Sequence, residues 1–179
     1  MIPERYKSAS IDDFDKDKIS PIMKWINGDK KDILFIAGSS GCGKTHLMCA
    51  ICYYLIKLHI QAAYALIPEI SIQLRNSMNT DFDNNLSEYD VIKKYRNPKL
   101  IGLFDDLAAN KPSEYVSESL YAIINHRYQE VSPSVYSSNL SISEISELYG
   151  DRIASRLASG IVFKMAGIDM RLVKNNALR

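Results

Sequence analysis

A glycine-rich segment that ends in a lysine and a threonine lies between an apolar run at 33–37 and a helical pattern. The segment is Gly38-Ser39-Ser40-Gly41-Cys42-Gly43-Lys44-Thr45. Glycines let the backbone turn tightly with its N–H groups inward, and a helix amino terminus adds about half a positive charge. This pattern predicts a phosphate-binding loop (P-loop), in which Lys44 reaches the β- and γ-phosphates of a nucleoside triphosphate and Thr45 offers its hydroxyl to Mg²⁺. We expect nucleotide contacts from nine residues: Gly38, Ser39, Ser40, Gly41, Cys42, Gly43, Lys44, Thr45 and His46.

Two acids follow a second apolar run. The run at 100–104 leads directly into Asp105 and Asp106. At the carboxyl end of a buried strand, the first acid would hold Mg²⁺ through its water shell and the second would orient or deprotonate the attacking water. A turn capped by aspartates is the alternative, but the P-loop nearby favours a Walker B element. Because Asp106 is a methylene shorter than Glu, we expect slow hydrolysis.

An amide and two arginines are further candidates for a catalytic role. Asn139 follows the predicted strand 134–138 and reads either as a sensor of the γ-phosphate or as the cap of the next turn. Arg152 and Arg156 share one face of a predicted helix because they are four residues apart. A solvated basic stripe is one interpretation of this pair. The other is an arginine finger offered to the ATP of a neighbouring subunit, where such a charge is worth about 10³–10⁵ in rate.

Length and composition limit the classes of protein to which the chain can belong. Its 179 residues, 46% of them hydrophobic, suit one domain, and a net charge of +1 gives no global field for nucleic acid or membranes. Apolar stretches are far shorter than the ~20 residues of a membrane span, and no signal peptide is visible, so we expect a cytosolic protein. Cys49 and Cys52 form a C-x-x-C without a second ligand pair, which favours reduced packing cysteines over metal or redox chemistry.

Strand-like and helical patterns alternate along the chain. The apolar runs lie at 33–37, 61–67, 100–105, 134–138 and 161–165, and the helical patterns lie at 44–58, 68–78, 86–96, 113–130 and 142–158. A short helix is also predicted from Ser20-Pro21 to near Gly28. Alternation of this kind predicts an α/β fold with a parallel sheet. A polar break at 79–87 divides the second connection into two helices, which is an insertion relative to a minimal crossover.

Taken together, these motifs resemble the DnaC/DnaI helicase-loader group of AAA+ ATPases. The resemblance covers about residue 10 to the carboxyl terminus, and it rests on Lys44-Thr45-His46-Leu47, Phe104-Asp105-Asp106-Leu107, Asn125-His126-Arg127-Tyr128, Ser137-Ser138-Asn139-Leu140, Gly150-Asp151-Arg152-Ile153-Ala154-Ser155-Arg156-Leu157 and Gly167-Ile168-Asp169-Met170-Arg171-Leu172. It implies a P-loop NTPase with a five-stranded parallel sheet in the order 5-1-4-3-2. It also implies that Arg156 is a finger acting in trans, that Arg152 is its companion and that Asn139 is sensor 1.

The resemblance implies a division of the chain and a set of partners. An N-terminal extension at 1–30 precedes an AAA+ domain at 31–179, in which 68–96 is the helical insertion of initiators and loaders. ATP with Mg²⁺, single-stranded DNA, further copies of the chain and a replicative DnaB-type helicase are the implied partners. Two departures qualify this. Only some 30 residues precede the first strand, fewer than the usual helicase-gripping module, and the 23 residues after Arg156 are too few for a helical lid.

The DNA-contacting residues are predicted only coarsely. Basic and aromatic side chains suit phosphate neutralisation and base stacking, although a solvated helix end is the plainer interpretation of this cluster. The candidates are Tyr89, Lys93, Lys94, Tyr95 and Arg96. Arg171 reads either as a substitute for a lid arginine or as a surface ion-pair partner, and we favour the latter.

The leading hypothesis is a helicase-loader-like ATPase that assembles on single-stranded DNA in a bacterial cytosol, with a phage or mobile element as the candidate source of its gene. A transposition helper ATPase of the IstB type would differ by preferring duplex DNA. A nonhydrolysing antagonist of a host loader is favoured by the short amino-terminal region. A small-molecule kinase is a remoter alternative, because the arginines cluster on a late helix and an amide ends the fourth strand.

Overall fold

Five parallel strands form one sheet with helices on both of its faces. The computed structural model describes residues 2–29, 32–78, 86–108 and 111–166. Its strands are β1 (Ile33–Ala37), β2 (Ala62–Leu66), β3 (Ile101–Leu107), β4 (Ser134–Ser138) and β5 (Ile161–Lys164). Its α-helices are α1 (Ser20–Asn27), α2 (Lys44–Lys57), α3 (Ile67–Ser77), α4 (Glu88–Arg96), α5 (Glu114–Gln129), α6 (Ile142–Tyr149) and α7 (Asp151–Ala158).

The strand order is β2-β3-β4-β1-β5, which confirms the predicted order 5-1-4-3-2 read from the other edge. Each neighbouring pair is parallel, so all five strands end at one edge of the sheet, which we call the carboxyl edge. β3 lies between β2 and β4, and β1 lies between β4 and β5. The ends of β1, β3 and β4 are therefore side by side, and loops after these strands share one region of the surface.

Two apolar layers enclose the sheet. On one face, Leu34, Leu103 and Val135 pack with the helices α1 and α2. On the other face, Phe35, Phe104 and Tyr136 pack with α3, α5 and α7. Side chains on a strand alternate between the faces, and both faces of a parallel sheet are covered, which explains why the central strands read as continuous apolar runs.

The segment before β1 belongs to the core of the same sheet. Residues 4–6 and 11–13 form short 3₁₀ turns, although the sequence there is polar and aperiodic. Ala9, Ile11, Ile19 and Trp25 are buried in the layer that contains α2. The proposed extension at 1–30 therefore contributes packed side chains to the domain at 31–179.

The helical pattern predicted at 142–158 forms two helices in the structure. Gly150 has φ +87°, a conformation that residues with a Cβ rarely adopt, and this ends α6 and begins α7. A capping box begins α6, since the Ser141 hydroxyl accepts from the Glu144 N–H and the Glu144 carboxylate accepts from the Ser141 N–H. Among the helices of the described residues, none combines the length and apolar character needed to cross a bilayer.

The other predicted boundaries agree within a few residues, with one informative exception. β3 runs on through both acids to Leu107 instead of ending at 105, because it meets β4 with a shifted register in that region. The insertion contains two helices, α3 and α4, as predicted, and the polar break between them lies mostly outside the described residues. No helix follows β5 within the described residues, which end at 166, and Arg171 lies beyond them.

Candidate nucleotide-binding site

The P-loop connects β1 to α2 and has the backbone geometry that its glycines predict. Gly41 has φ +76° and Gly43, which begins the helix, has φ +102°. A Cβ on Gly38 would lie 2.6 Å from the Met165 carbonyl oxygen, so only glycine fits there. The Met165 N–H donates to the Ala37 carbonyl at 2.7 Å, which holds the chain after β5 against the loop.

Lys44 is folded into the P-loop. Its side chain leaves the first residue of α2, and its Nζ donates to the carbonyls of Gly38 at 2.7 Å and Ser39 at 2.9 Å. Only 9% of the residue is exposed. The ammonium thus lies inside the turn of the P-loop, at the amino end of α2, and a helix amino terminus of this kind favours phosphate charge.

Asp105 is buried at the carboxyl edge and is held from both sides. Its residue exposure is 1%, and its Oδ2 accepts a hydrogen bond of 2.6 Å from the Tyr64 hydroxyl. Its Oδ1 accepts a second bond from the Ser137 hydroxyl. A buried carboxylate whose partners are neutral hydroxyls still lacks charge compensation, which a cation beside it would supply.

Asp106 follows in an unusual backbone conformation. Its φ is +63°, and its N–H donates to the Ser137 Oγ at 3.0 Å instead of to a strand carbonyl. The register between β3 and β4 shifts between Phe104 and Leu107, so both acids lie in the shifted part. The hydroxyl of Ser138 completes the link by donating to the Leu107 carbonyl at 2.6 Å.

Asn139 lies at the carboxyl edge of the sheet, directly after β4. It is exposed, and the carbonyl of Ser138 before it accepts from the N–H of Gly38 at 3.2 Å. β4 lies between β3 and β1, so along the carboxyl edge Asn139 comes between the end of β3 with its two acids and the P-loop that follows β1. The structure therefore brings together, at one edge of the sheet, five predicted site residues: Lys44, Thr45, Asp105, Asp106 and Asn139.

The metal-binding residues predicted from the sequence suit Mg²⁺. Thr45 is half-buried next to Lys44 at the start of α2, and Asp105 is on the sheet face that α2 covers. Mg²⁺ prefers hydroxyl, carboxylate, phosphate and water oxygens and keeps much of its water shell. These two side chains, with a nucleotide's phosphates, supply oxygens of that kind without a dedicated protein cage.

His46 contacts the amino-terminal segment. Its Nε2 lies 2.7 Å from Asp13 Oδ2, and the rings of Tyr6 and Phe14 lie edge-on to it at centroid distances of 6.1 and 5.5 Å. The pKa of Asp13 is lowered, first by the backbone N–H of Ser10 and then by His46. The observed partners of His46 thus tie residues 6–14 to the P-loop helix.

Arg152 and Arg156 lie elsewhere. Both guanidinium groups lie against Tyr121 of α5, each 5.9 Å from its ring centre, and that of Arg156 is also 5.5 Å from the Tyr128 ring. The Arg156 Nε donates to Asn125 Oδ1 at 3.1 Å. Arg152 is exposed and Arg156 half-buried, so the pair forms a surface of cations resting on aromatic rings.

The cysteines are packing residues, as predicted. Burial raises the pKa of Cys49 to about 12, with a further contribution from Asp105, and raises that of Cys52 to about 11. All three cysteines are free and buried. Within the described ranges, no three His, Cys, Asp or Glu side chains are grouped so as to hold a metal ion.

A groove with a volume of about 670 Å³, here called the α4 groove, lies away from this site. It is lined by Tyr89, Asp90, Ile92, Lys93, Lys94, Arg96, Asn97, Pro98, Leu100 and His126. Tyr89 is 68% exposed, with Lys93 Nζ 5.6 Å from its ring centre. Four of the five residues predicted to contact DNA line this groove, and the fifth, Tyr95, lies 5.0 Å from Lys94 Nζ.

Sequence reasoning assigned no role to Tyr64, Ser137 or Arg127. Tyr64 and Ser137 meet Asp105 across separations of 41 and 32 residues, which no local pattern reports. Arg127 is 1% exposed, although arginines usually lie at the surface. Its place on α5 among the inward-facing Leu120, Ile123 and Ile124 was the available signal, since residues three and four apart share one helix face.

The described geometry matches proteins that act in bacterial replication initiation. The family model of the bacterial DnaA ATPase domain matches residues 16–164. The chromosomal replication initiator protein DnaA of Lactobacillus johnsonii is 32% identical over 142 residues, which are 76% of this chain and 29% of that protein. DnaA of Crocosphaera subtropica is 30% identical over 131 residues, or 72% of this chain and 27% of that protein. The chain thus spans less than a third of these curated relatives.

Solved structures confirm the resemblance to the loaders in the fold. The DnaC helicase loader superposes with a TM-score of 0.78 at 20% identity, covering 92% of this chain and all of that one. DnaI gives a TM-score of 0.75, also at 20% identity, over 93% of this chain and 95% of that one. Domain III of Thermotoga maritima DnaA gives 0.76 at 24% identity, over 99% and 74% of the two chains. The chain therefore belongs to the family of the bacterial DnaA ATPase domain and has the AAA+ fold that the DnaC and DnaI structures share.

Proposed function

We propose that the protein is an ATP-dependent DNA replication factor of the helicase-loader type, which assembles with its own copies on single-stranded DNA and helps to place a replicative helicase. In its site, Lys44 and the P-loop bind the triphosphate, Thr45 and Asp105 hold Mg²⁺, and Asp106 with Asn139 orients the attacking water. A DnaA structure of TM-score 0.75 was solved with AMPPCP and single-stranded DNA, which supports both ligands for this fold.

The position of Arg156 is the observation that carries the proposal. It contacts Asn125 and Tyr128 near the end of α5, and α5 leads to the beginning of β4. The P-loop lies at the carboxyl end of the strands, and the five residues of β1 separate it from their amino end by about 13 Å at the usual rise of a strand. In addition, Lys44 begins α2, which covers the face of the sheet opposite to the one that α7 covers. Arg156 is therefore far from the nucleotide site of its own chain, which supports a role at the site of a neighbouring copy.

The surroundings of Arg156 suit such a contact. Among the described residues, its hydrogen bond uses Nε alone, so the two terminal nitrogens remain for an acceptor outside the chain. The rings of Tyr121 and Tyr128 restrict the guanidinium without neutralising it. A heterologous contact between this surface and the carboxyl edge of a second copy repeats into a ring or a filament.

The α4 groove supports a nucleic-acid contact. Lys93, Lys94 and Arg96 offer three cations beside the exposed ring of Tyr89, and single strands are bound by this combination of phosphate neutralisation and stacking. The buried guanidinium of Arg127 lies behind the groove wall and adds positive potential there, because its partners are neutral oxygens.

Mixing two inactive variants tests whether Arg156 acts in trans. Lys44→Ala removes triphosphate binding and Arg156→Ala removes the finger, so we expect each alone to lose nearly all ATPase activity. In a mixture, the P-loop of one variant meets the finger of the other, and part of the activity returns. Phosphate release is measured against protein concentration with and without single-stranded DNA, and Arg5→Ala, an exposed arginine of the amino-terminal segment, serves as the control.

Three outcomes would contradict the proposal. If Arg156→Ala keeps full activity at all protein concentrations, the trans role is wrong. If wild-type protein binds ATP without hydrolysing it and blocks loading by a host loader, it is an antagonist. If it binds duplex DNA more tightly than single strands at the same salt, a transposition helper is favoured instead.

A further inference from the structure

The Asp105 carboxylate accepts hydrogen bonds from hydroxyl groups on both neighbouring strands. Tyr64 of β2 donates to its Oδ2 at 2.6 Å, and Ser137 of β4 donates to its Oδ1. β3 lies between these two strands, so the donors approach from opposite sides. The three residues are 8%, 0% and 1% exposed for Tyr64, Ser137 and Asp105, so water contributes little to this arrangement.

The two hydroxyls act as hydrogen-bond donors and leave the Asp105 carboxylate with lone pairs for further ligands. A tyrosine hydroxyl is protonated at neutral pH, so Tyr64 is the donor in its bond to the carboxylate. Each carboxylate oxygen has two lone pairs, and one hydrogen bond to each leaves one lone pair per oxygen. With both oxygens fixed, the remaining lone pairs have defined directions.

Ser137 also fixes the next residue. While it donates to Asp105, its oxygen accepts the N–H of Asp106 at 3.0 Å, where the backbone has φ +63°. This region of β3 is out of register with β4, so ordinary ladder bonds to β4 do not hold it. One hydroxyl therefore sets the position of a carboxylate and the backbone of the acid that follows.

We propose that Tyr64 and Ser137 are positioning residues that orient the Asp105 carboxylate and thereby set the affinity of the site for the Mg²⁺ complex of the nucleotide. The inference rests on the proposed function only in requiring that the site bind ATP with Mg²⁺. Neither hydroxyl touches the nucleotide in this role. Partners of this kind behind a metal ligand typically change metal affinity by about 10–100-fold when they are removed.

The test uses Tyr64→Phe and Ser137→Ala in the full chain, with a fluorescent ATP derivative as the probe. Binding is measured in EDTA and then across a Mg²⁺ titration. We expect affinity in EDTA within about twofold of wild type, because the P-loop is intact, and a Mg²⁺ midpoint raised about tenfold. Tyr136→Phe is the matched control, since this buried tyrosine lies on the opposite face of the sheet and should leave the midpoint unchanged.

A purely structural role predicts a different result. Loss of a buried hydrogen bond alone would lower the thermal unfolding midpoint while leaving the Mg²⁺ midpoint at the wild-type value, and that outcome overturns the inference. Equal weakening with and without Mg²⁺ also overturns it. Ser137→Thr keeps the hydroxyl and should restore the midpoint. If wild-type protein itself shows no Mg²⁺-dependent binding, the proposed function fails, whereas a normal wild type with unchanged variants contradicts only the positioning role.

Discussion

Arg127 fastens three separate parts of the chain to one another. Its five N–H groups donate to five oxygens at 2.6–3.2 Å, which belong to the carbonyls of Tyr95, Asn97, Leu100 and Pro133 and the hydroxyl of Ser134. Burial lowers its pKa, but a guanidinium stays charged at neutral pH. It thus replaces the backbone partners that the segments before β3 and β4 would otherwise lack.

Replacing this residue tests its structural role. Arg127→Met keeps apolar volume but removes a donor from four carbonyls, of which, among the described residues, only that of Pro133 also accepts from the Gly102 N–H. We therefore expect a loss of about 3–5 kcal/mol in the free energy of unfolding, measured by urea titration. Arg127→Lys, which has at most three donors, should lose less. Arg152→Ala at the exposed surface should change stability by less than about 0.5 kcal/mol. A stable Arg127→Met protein would show that these carbonyls find other partners.

At this scale, sequence reasoning recovers residues whose roles are local. Lys44 and Thr45 are predicted from the order of strand, glycine turn and helix, and the acid pair is predicted from the apolar run just before it. In each case the signal comes from neighbours along the chain. The roles of Tyr64 and Ser137 are missed because they exist only after β2 and β4 pair with β3. The rotation of Asp106 into positive φ has the same origin, since it follows from the shifted register.

Among the secondary-structure elements, helix α2 is one that local sequence predicts well. Its apolar pattern predicts the helix within one residue of its observed end at Lys57, and the conformational demand on Gly43 defines its start. The pattern at 142–158 was continuous, yet the chain divides at Gly150. A glycine inside a helical pattern is compatible with both outcomes, and the packing of α6 and α7 decides between them.

The burial of α2 makes its cysteines unreactive. With pKa values of about 12 and 11, Cys49 and Cys52 stay protonated at pH 8, and the thiolate is the reactive form. We expect iodoacetamide at pH 8 to label both at least about 100-fold more slowly in the native protein than in urea, as measured by peptide mass spectrometry. Labelling that is equally fast in both conditions would mean that α2 opens readily.

In the whole molecule, the candidate nucleotide site lies at one end of the strands, and the candidate surfaces for DNA and for a second copy lie toward the other end. The P-loop, Asp105 and Asn139 share the carboxyl edge, whereas Arg156 and the α4 groove lie toward the other end of the strands. The strand order follows from the resemblance to AAA+ ATPases and is confirmed. The groove was beyond prediction, because it depends on how α4 and α5 approach each other after the insertion folds.

The α4 groove gives a prediction for DNA binding. The double variant Lys93→Ala, Lys94→Ala should weaken binding of a fluorescent oligothymidylate and reduce the slope of log K against log salt by about 1.4, or about 0.7 for each phosphate contact. Tyr89→Ala should weaken binding by about 1–3 kcal/mol through lost stacking. Lys57→Ala on the opposite face is the control. An unchanged salt slope would place the DNA on another surface.

All three cysteines of the chain are buried, so its surface offers no native thiol to a dye. A single cysteine introduced at exposed Ser155, beside Arg156, would therefore be labelled selectively without removing the native ones. Energy transfer between donor- and acceptor-labelled copies would then report in real time when two molecules meet, and whether nucleotide or a polynucleotide sets the pace.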